Sequence, residues 1–332
     1  MLAIVHNEPV PSGYVYSQAS VDVLAQVEVI ERALENLGYP TVRISFTKDL
    51  GRFVQVVEEQ KVTAAFNLCE SVDEDARYLW HPAAVLELLG IPFSGSSSAA
   101  LMLTTDKLLT KRLLNVQGIT TPRYLPYNGI GCFEGRDLRY PVIVKPRFED
   151  ASIGIDQESL FEDEAKLQKG LRIFSERFAE LIIEEYIDGR EFNVSLFGYP
   201  TAQILPLAEI DFSTFPGELY RIVGYRAKWE ATSFEYHHTP RRFCHDLPPK
   251  QAESITETAL KCFELFMLRD YGRVDMRIDA CGTVYVLEVN ANPCLSPDAG
   301  FAAAIAMAGM THSEMVQAFV DFMGQRQPYY GH

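Results

Sequence analysis

Apolar positions switch between strand-like and helix-like spacing along the first ninety residues. An apolar run over residues 2–5 is followed, after polar, glycine and proline residues, by apolar side chains at helical spacing over 21–37. Residues 42–46 alternate as a strand, 53–60 are typical of a short helix, and 64–68 form another apolar strand. Strands and helices that alternate in this way predict a parallel sheet with helices on its faces.

The pattern changes after a serine-rich segment at residues 94–98, where we place the first domain boundary. A helix is predicted over 105–116, and β-branched or alternating runs predict strands over 141–146, 181–187 and 192–197. The middle of the chain therefore has the pattern of a small α+β unit.

The last third of the chain begins with a region that we expect to be irregular up to about Pro249. A helix is then predicted over 251–268, followed by two strands, 272–278 and 284–289, that a four-residue turn joins into a hairpin. Two further helices are predicted to close the chain, and we find no internal repeat.

Composition and charge exclude several classes of protein. The 332 residues carry 30 basic and 45 acidic side chains, a net charge of −15 that repels a nucleic acid backbone. The apolar segment 301–310 is far shorter than the roughly 20 residues that span a bilayer. The N-terminus has no secretory pattern, and the six cysteines include no C-x-x-C pair, so we expect a cytoplasmic protein without membrane or nucleic acid partners.

Candidate chemistry is concentrated in the predicted hairpin. Strand alternation places Arg273 and Asp275 on one face of the first strand, and Glu288 and Asn290 on one face of the second. If these faces meet, Asp275, Glu288 and Asn290 present the hard oxygen ligands that Mg²⁺ prefers when substrate phosphates complete its coordination. The alternative is a hairpin with one solvated polar face.

Two lysines and a loop suggest phosphate binding. Lys145 ends the strand over 141–146, and Lys107 lies on the helix after the serine-rich segment. The loop 147–154 has small residues that let backbone N–H groups approach an anion. Neither a P-loop nor a dinucleotide fingerprint is present, and Lys107 could equally be a surface lysine.

Taken together, these motifs resemble the ATP-grasp superfamily, and within it the D-alanine:D-alanine ligases. The resemblance runs from about residue 64 to residue 323 and rests on five segments: 105–107, 142–146, 184–187 with Glu191, 273–275 and 288–293. It implies an α/β protein of the ATP-grasp fold. A Rossmann-like domain over 1–98 would precede a central subdomain over 99–187 and a C-terminal subdomain with the metal site over 188–332.

The resemblance also implies roles for individual residues. The residues that would bind ATP are Lys107, Lys145, Glu184, Glu185, Tyr186, Ile187 and Glu191. Asp275, Glu288 and Asn290 would bind two Mg²⁺ ions, or Mn²⁺ in their place. The catalytic residues would be Arg273, Ser152 and Lys228, with Ser152 on a loop that closes over ATP and Lys228 near the γ-phosphate. Arg273 and the N–H of Cys294 would stabilise an oxyanion.

Several positions of the substrate shell depart from the family pattern. The glutamate that anchors the first substrate's amine has no clean match, although Glu8 could replace it, and a histidine–glycine pair becomes Cys69–Glu70. A serine–leucine pair that binds the second substrate's carboxylate becomes Ala299–Gly300, with the loss of a hydroxyl donor.

Two further departures concern the nucleotide site and its lid. Trp229 stands where the family usually has a tyrosine whose hydroxyl bonds Ser152. Arg277 replaces an apolar residue and could bind a phosphate or pair with an acid.

The function implied is an ATP-dependent carboxylate–amine ligase that forms a peptide or amide bond through an acyl phosphate. D-Alanyl-D-alanine is one possible product, and another pair of amino acids or metabolites is the alternative. A non-catalytic nucleotide-binding regulatory protein and a kinase that stops at phosphoryl transfer also remain open. Family members commonly form homodimers, and the expected substrates are small molecules.

Overall fold

The N-terminal part of the chain forms a three-stranded parallel sheet. The computed structural model describes residues 1–9, 16–129, 137–244 and 246–326, so that Cys132 lies outside the described residues. The central strand, β1 (Leu2–Asn7), pairs in parallel with β2 (Thr41–Phe46) and β3 (Ala64–Asn67). The helices of this part are α1 (Ser17–Asn36), α2 (Leu50–Glu59) and α3 (His81–Leu88), with a short 3₁₀ helix at Ala76–Tyr78. The predicted parallel sheet is confirmed.

The burial pattern explains why this part of the chain forms a parallel sheet. All six residues of β1 are buried, and α1 buries the face that carries Val23, Val27, Ile30 and Leu34. A strand buried on both faces, next to helices with one apolar stripe, is typical of parallel sheets.

The helix predicted over 105–116 is α5 (Lys107–Val116), and a helix that we did not predict, α4 (Ser98–Thr105), precedes it. Asp106 separates them, because its backbone is extended and its carboxylate accepts the N–H groups of Leu108 and Leu109. The predicted helix is confirmed, apart from its start at Lys107. Lys107 consequently occupies the first residue of a helix.

The middle of the chain forms an antiparallel sheet of four strands in the order β4-β7-β5-β6. These strands are β4 (Tyr124–Tyr127), β5 (Val142–Pro146), β6 (Leu160–Phe161) and β7 (Leu181–Glu185). A 3₁₀ helix at Gln157–Ser159 precedes β6, and the helix α6 (Glu164–Ser175), which we did not predict, packs against the sheet through Leu167, Leu171 and Phe174.

The C-terminal sheet has the strand order β11-β10-β8-β12-β13, with β9 paired to β8. Its strands are β8 (Arg190–Gly198), β9 (Gln203–Ile204), β10 (Ala208–Ile210), β11 (Arg241–Phe243), β12 (Asp270–Ile278) and β13 (Val284–Asn290). The helices are α7 (Tyr225–Trp229), α8 (Phe234–His237), α9 (Pro249–Leu265), α10 (Gly300–Met307) and α11 (His312–Gln325). The predicted hairpin of β12 and β13 is confirmed. The region before Pro249, expected to be irregular, contains α7, α8 and β11.

The two ends of the chain pack together. Phe319 and Met315 of α11 share a core with Ile4 of β1 and Phe66 of β3, and α11 also contacts α1. Each of the three sheets lies within one of the three predicted domains, whose exact boundaries stay a prediction. Among the described residues, no helix is long and apolar enough to cross a membrane, and the five described cysteines form no disulfide.

A buried ion pair joins the C-terminal sheet to the N-terminal domain. Asp270 has no exposed surface, and its carboxylate accepts hydrogen bonds from Arg326 Nη1 at 2.5 Å and from the N–H of Gly95 at 2.8 Å. Its φ of 65° lies in the left-handed region, which asparagine also tolerates.

We therefore predict that Asp270→Asn lowers the free energy of unfolding by about 3 kcal/mol, because it leaves the buried Arg326 without its counter-charge. The matched control is Arg32→Ala, which removes an exposed pair with Glu28 on α1 and should change the stability by less than about 0.5 kcal/mol. Urea unfolding followed by circular dichroism measures both. Equal stability of Asp270→Asn and wild type would contradict the prediction.

Candidate active site

One cleft collects most of the residues singled out in the sequence. It lies between the four-stranded sheet and the C-terminal sheet, and it is also lined by Asp22 and Glu70 of the N-terminal domain. Every predicted nucleotide, metal and catalytic residue lines this cleft, as do Cys294, Ala299 and Gly300.

Glu8 does not line the cleft. It is exposed and accepts a hydrogen bond from Ser45 Oγ on β2 at 3.1 Å. This position, just past the end of β1, does not support the predicted substrate role of Glu8.

The hairpin brings its two polar faces into register. Asp275 lies opposite Glu288, and Arg273 lies opposite Asn290. The pairing then shifts by one residue at Asp275/Met276, where a bulge places Leu287 out of register. Asp275 accepts hydrogen bonds from Arg273 Nε at 2.7 Å, Arg273 Nη2 at 2.9 Å and Asn193 Nδ2 at 2.9 Å.

Lys107 lies between two carboxylates at the centre of the cleft. Its Nζ is 3.3 Å from Glu288 Oε1 and 3.6 Å from Asp150 Oδ1, and it also donates to the carbonyl oxygen of Glu149. Burial opposes the charge of Lys107, but Glu288 and Asp150 raise its pKa. Lys107 is buried, so the alternative of a surface lysine is wrong.

Glu288 is held in its ionised form. Burial would raise its pKa, but the charges of Lys107, Lys228, Lys145 and Arg273 keep the pKa of Glu288 well below its usual range. The neighbouring Asp150 behaves in the opposite way: burial, together with the charge of Glu288, raises the pKa of Asp150 to about 7 despite Lys107.

The donor set of the hairpin fits a hard divalent cation. Asp275 and Glu288 face each other in register and line the cleft, as does Asn290, whose amide oxygen accepts the N–H of Asn292 at 2.9 Å. Within the described part of the chain, no group of three or more His, Cys, Asp and Glu side chains is placed to hold a metal. A metal here therefore needs Asn290 or substrate oxygens to complete its coordination.

Glu184 on β7 is enclosed by two lysines. Its Oε2 accepts a hydrogen bond from Lys145 Nζ at 3.0 Å and lies 3.3 Å from Lys111 Nζ. Burial opposes ionisation, but these two cations lower the pKa of Glu184. Its other oxygen, Oε1, is buried and has no hydrogen-bond partner among the described residues, which leaves it available to a ligand in the cleft.

Lys111 was missed by the sequence analysis. It is 1 % exposed and donates to Thr121 Oγ1 at 2.8 Å. Burial lowers its pKa to about 8, against the charge of Glu184. The one available signal was its position four residues after Lys107, one turn along α5 on the same face.

The segment after β7 is tied to the hairpin by Arg277. This buried arginine donates to Glu191 Oε2 from Nε at 3.0 Å and from Nη2 at 2.6 Å, and to the carbonyl oxygen of Ile187 at 2.6 Å. Its guanidinium also lies over the ring of Tyr186. Of the two roles left open for Arg277, pairing with an acid is the one observed.

Glu185 faces the other way within the same segment. Its Oε1 accepts the N–H of Arg139 at 2.8 Å, so that its side chain is bonded to the backbone just before β5. Glu185 nevertheless belongs to the lining of the cleft.

The loop 147–155 is fastened to the segment that carries α7. Ser152 Oγ donates to the carbonyl oxygen of Val223 at 2.8 Å, and the indole N–H of Trp229 donates to the carbonyl oxygen of Ala151 at 3.0 Å. The tryptophan thus supplies a different hydrogen bond from the tyrosine that it replaces. Lys228 lies beside Trp229, and its pKa is lowered by burial and by the charge of Arg273.

The far end of the cleft is acidic. Glu70 accepts a hydrogen bond from Gln26 Nε2 at 2.8 Å, and Asp22 accepts one from Cys294 Sγ at 3.3 Å. Burial raises the pKa of Glu70 to about 7, against the bond from Gln26, and burial raises that of Asp22 as well. Burial, followed by the charges of these two acids, also raises the pKa of the Cys294 thiol, which favours its protonated form.

Asp22 and Arg241 line the same end of the cleft and were also missed. Asp22 lies on α1 and Arg241 on an edge strand, far along the chain from every motif, so no spacing pattern could have found them. Ala299 and Gly300 lie at the start of α10, next to Arg241.

Comparison with known proteins yields one family. A family model described as D-ala D-ala ligase C-terminus matches residues 132–321, more than half of the chain. A D-alanine–D-alanine ligase from Synechococcus sp. is 30% identical over 305 residues, which cover 89% of this chain and 87% of the relative. A protein of Sinorhizobium fredii described as uncharacterized protein y4sG is 33% identical over 267 residues, 80% of this chain and 75% of the relative.

A solved structure shares the fold. The D-alanine–D-alanine ligase from Bacillus anthracis complexed with ATP superimposes with a TM-score of 0.77 at 21% sequence identity, over 98% of each chain.

The raised pKa of Glu70 generates a prediction about stability. A carboxyl whose pKa is raised on folding stabilises the protein below its unfolded pKa, and this contribution is lost as the pH rises through the folded value of about 7. Glu70→Gln cannot ionise and keeps an oxygen for Gln26. Relative to wild type, we expect the variant to gain roughly 2 kcal/mol in the free energy of unfolding between pH 5 and pH 8.

Urea unfolding at pH 5 and pH 8 measures this difference. The control is Glu28→Gln on the exposed face of α1, which should show no pH-dependent gain. If Glu70→Gln changed the free energy of unfolding by the same amount at both pH values, the raised pKa of Glu70 would be contradicted.

Proposed function

Because this chain belongs to the D-alanine–D-alanine ligase family and is an ATP-dependent ligase of the ATP-grasp fold, we propose that it joins the carboxylate of one amino acid to the amine of a second substrate through an acyl phosphate. The observation that carries this proposal is the charge layout of the cleft. Three lysines and one arginine surround the ionised Glu288 at the centre, and two carboxyl groups, Asp22 and Glu70, lie at one end. Such a cleft suits a polyphosphate beside an ammonium group.

The nucleotide base would bind along the segment after β7. The unpartnered Oε1 of Glu184 would accept the amino group of adenine, beside the backbone of residues 185–187. Arg277 occupies Oε2 of Glu191, so that Oε1 of Glu191 is the oxygen left for a ribose hydroxyl. Lys107 and Lys145 would bind the phosphates.

Asp275, Glu288 and Asn290 would hold Mg²⁺. When bound, Mg²⁺ neutralises negative charge on phosphate oxygens. Glu288 suits this role because its low pKa keeps it charged at neutral pH.

In the first step, a carboxylate oxygen of the donor attacks the γ-phosphorus of ATP, and the bond between that phosphorus and the bridging oxygen of ADP breaks. Lys107, Lys145 and Lys228 would stabilise the charge on the transferred group. The ammonium group of the donor would bind between Asp22 and Glu70, where burial makes an ionic partner favourable.

In the second step, the neutral amine of the acceptor attacks the acyl carbon, phosphate leaves, and the nitrogen loses a proton. Arg273 commits Nε and Nη2 to Asp275, so Nη1 is the donor left for the developing oxyanion. The loop 147–155, closed by Ser152 and Trp229, would exclude the water that hydrolyses an acyl phosphate.

ADP formation with pools of D- and L-amino acids, with the products identified by mass spectrometry, tests this proposal. D-Alanine comes first because the Synechococcus relative and the Bacillus anthracis structure are described as D-alanine–D-alanine ligases. A new amide supports the proposal. ADP formation without an amine requirement would support a kinase instead, and no turnover with any pool would support a non-catalytic nucleotide-binding protein.

We predict that Lys107→Met lowers the rate of amino-acid-dependent ADP formation by about 10²-fold or more, because it removes a buried cation aimed at the transferred phosphate. The control is Lys166→Met on α6. Lys166 is exposed, and among the described residues Glu162 is the only acid within salt-bridge distance of it. It should retain the wild-type rate. A Lys107→Met enzyme that is folded and nearly as active as wild type would contradict the role of Lys107.

We predict that Trp229→Phe increases by several-fold the ratio of free phosphate to amide product. The substitution keeps an aromatic ring but removes the N–H that fastens Ala151, so water reaches the acyl phosphate more often. Trp80→Phe, at the other tryptophan of the chain, is the matched control and should leave the ratio unchanged. An unchanged ratio in Trp229→Phe would show that this bond does not seal the site.

A further inference from the structure

Lys111 is a buried cation that lies beside the cleft and outside its lining. It is 1 % exposed and lies on α5, one turn after Lys107, whereas Lys107 and Lys145 both line the cleft. The phosphate-binding role that we propose for Lys107 and Lys145 therefore does not extend to Lys111. Because a buried ammonium group needs compensation by an anion and by hydrogen bonds, the partners of Lys111 indicate what it does.

Three oxygen atoms surround the ammonium group of Lys111. Its Nζ donates to Thr121 Oγ1 at 2.8 Å, lies 3.3 Å from Glu184 Oε2, and donates to the carbonyl oxygen of Leu287 at 3.4 Å. An ammonium group has three N–H donors, so all of them find a partner within the protein. Lys111 is thus fixed between α5, β7 and β13, and it cannot turn toward a ligand without leaving Glu184.

The second lysine at Glu184 is held differently. Lys145 Nζ donates to the same oxygen, Oε2, at 3.0 Å, but its side chain is 14 % exposed and lines the cleft. If Lys145 turns to a phosphate, as the proposed function requires, Lys111 is the cation that stays with Glu184. Burial opposes the charge of Glu184, and the charge of Lys111 lowers the pKa of Glu184 more than the charge of Lys145 does.

These contacts determine which oxygen of Glu184 a ligand meets. With Oε2 next to the lysines, the buried Oε1 has no hydrogen-bond partner among the described residues. An ionised carboxylate only accepts hydrogen bonds, whereas a protonated carboxyl group also donates one. An ionised Glu184 therefore suits the amino group of adenine and repels the carbonyl oxygen that stands at the same place in hypoxanthine or guanine.

Lys111 also contacts the strand that carries Glu288. Thr121 Oγ1, which accepts from Lys111, donates to the carbonyl oxygen of Val286 at 2.8 Å, and Lys111 itself donates to that of Leu287. Leu287 is the residue that the bulge in the hairpin leaves out of register. Lys111 thus links the strand at which we place the base to the strand at which we place the metal ion.

We propose that Lys111 is a positioning residue for nucleotide recognition: it keeps Glu184 charged and holds its Oε2, so that Oε1 selects the amino group at C6 of adenine. This inference rests on the proposed function, which places adenine at Glu184. Lys111 touches neither the nucleotide nor the reacting atoms. Its removal therefore changes the choice of base and the affinity for ATP, and leaves the chemical step intact.

Binding of ATP and of ITP to the full chain, measured by calorimetry with Mg²⁺ and without amino acids, tests the inference. In ITP a carbonyl oxygen replaces the amino group at C6, while the ribose and the phosphates are the same. We expect the wild-type protein to bind ATP at least about 10²-fold more tightly than ITP, because ITP leaves the buried, charged acceptor without a donor.

The variant Lys111→Gln removes the charge, while its amide can still donate to Thr121 and Leu287. Once Lys145 turns to a phosphate, the buried Glu184 of this variant takes up a proton and can donate to the carbonyl oxygen of ITP. We expect the preference for ATP over ITP, given by the ratio of the two Kd values, to fall about tenfold or more. In turnover with the amino acids identified above, KM for ATP should rise while kcat stays within about threefold of wild type.

Three further variants complete the experiment. Arg112→Gln, at the next residue on α5, is the matched control, because Arg112 is exposed, and it should keep the wild-type preference. Glu184→Gln should lower the preference by itself, and adding Lys111→Gln to it should lower it no further, because Lys111 acts through Glu184. Thr121→Val keeps both charges and removes the hydroxyl that anchors Lys111, so it should lower the preference several-fold.

Each way of failing has its own signature. A folded Lys111→Gln protein that loses affinity for ATP and ITP by the same factor would overturn the inference and make Lys111 a structural residue. If that variant does not fold, an unchanged preference in Thr121→Val has the same meaning. A further loss of preference in the double variant would show that Lys111 does not act through Glu184.

Failure of the proposed function is distinguishable from these results. Wild-type protein that binds ATP and ITP equally would remove adenine from Glu184, and the inference would fall while amide formation still supported the ligase. Wild-type protein that binds neither nucleotide would refute the proposed function itself, and the inference would fall with it.

Discussion

The balance of buried charge around Glu288 is the constraint on which the rest of the cleft depends. The chain as a whole carries a net charge of −15, yet Lys107, Lys228, Lys145 and Arg273 all act on this one carboxylate. Buried cations are costly when unpaired, and here Glu288 and Asp150 pair with Lys107 while Glu184 pairs with Lys145. The arrangement concentrates positive charge where a triphosphate would bind, within a protein that otherwise repels anions.

The fold supplies this balance by bringing distant segments to one cleft. The hairpin of β12 and β13 places Asp275 opposite Glu288, α5 contributes its first residue, and the four-stranded sheet contributes the strand ends. Arg277 then couples the hairpin to the segment after β7 through Glu191 and the carbonyl oxygen of Ile187. The loop 147–155 is held on both sides, by Asp106 through Arg147 and by the segment that carries α7 through Ser152 and Trp229.

Local patterns were sufficient for much of the fold and for the hairpin, because strand alternation and turn residues act over short stretches of chain. They were insufficient where the outcome depends on tertiary contacts. The capping carboxylate of Asp106 starts α5 two residues later than its apolar pattern predicts, and Glu8 bonds Ser45 outside the lining of the cleft. Asp22 and Arg241 enter the cleft, and Lys111 reaches Glu184 beside it, through packing between segments that lie far apart in the sequence.

The central claim is that the cleft activates a carboxylate by phosphoryl transfer. It is tested most directly with a donor amino acid whose two carboxylate oxygens carry ¹⁸O, incubated with ATP and an acceptor. The account predicts that one ¹⁸O atom appears in the inorganic phosphate released, because the donor oxygen that attacks the γ-phosphorus leaves with it. Phosphate without label, or label in AMP, would contradict the account and would place the chemistry of this cleft elsewhere.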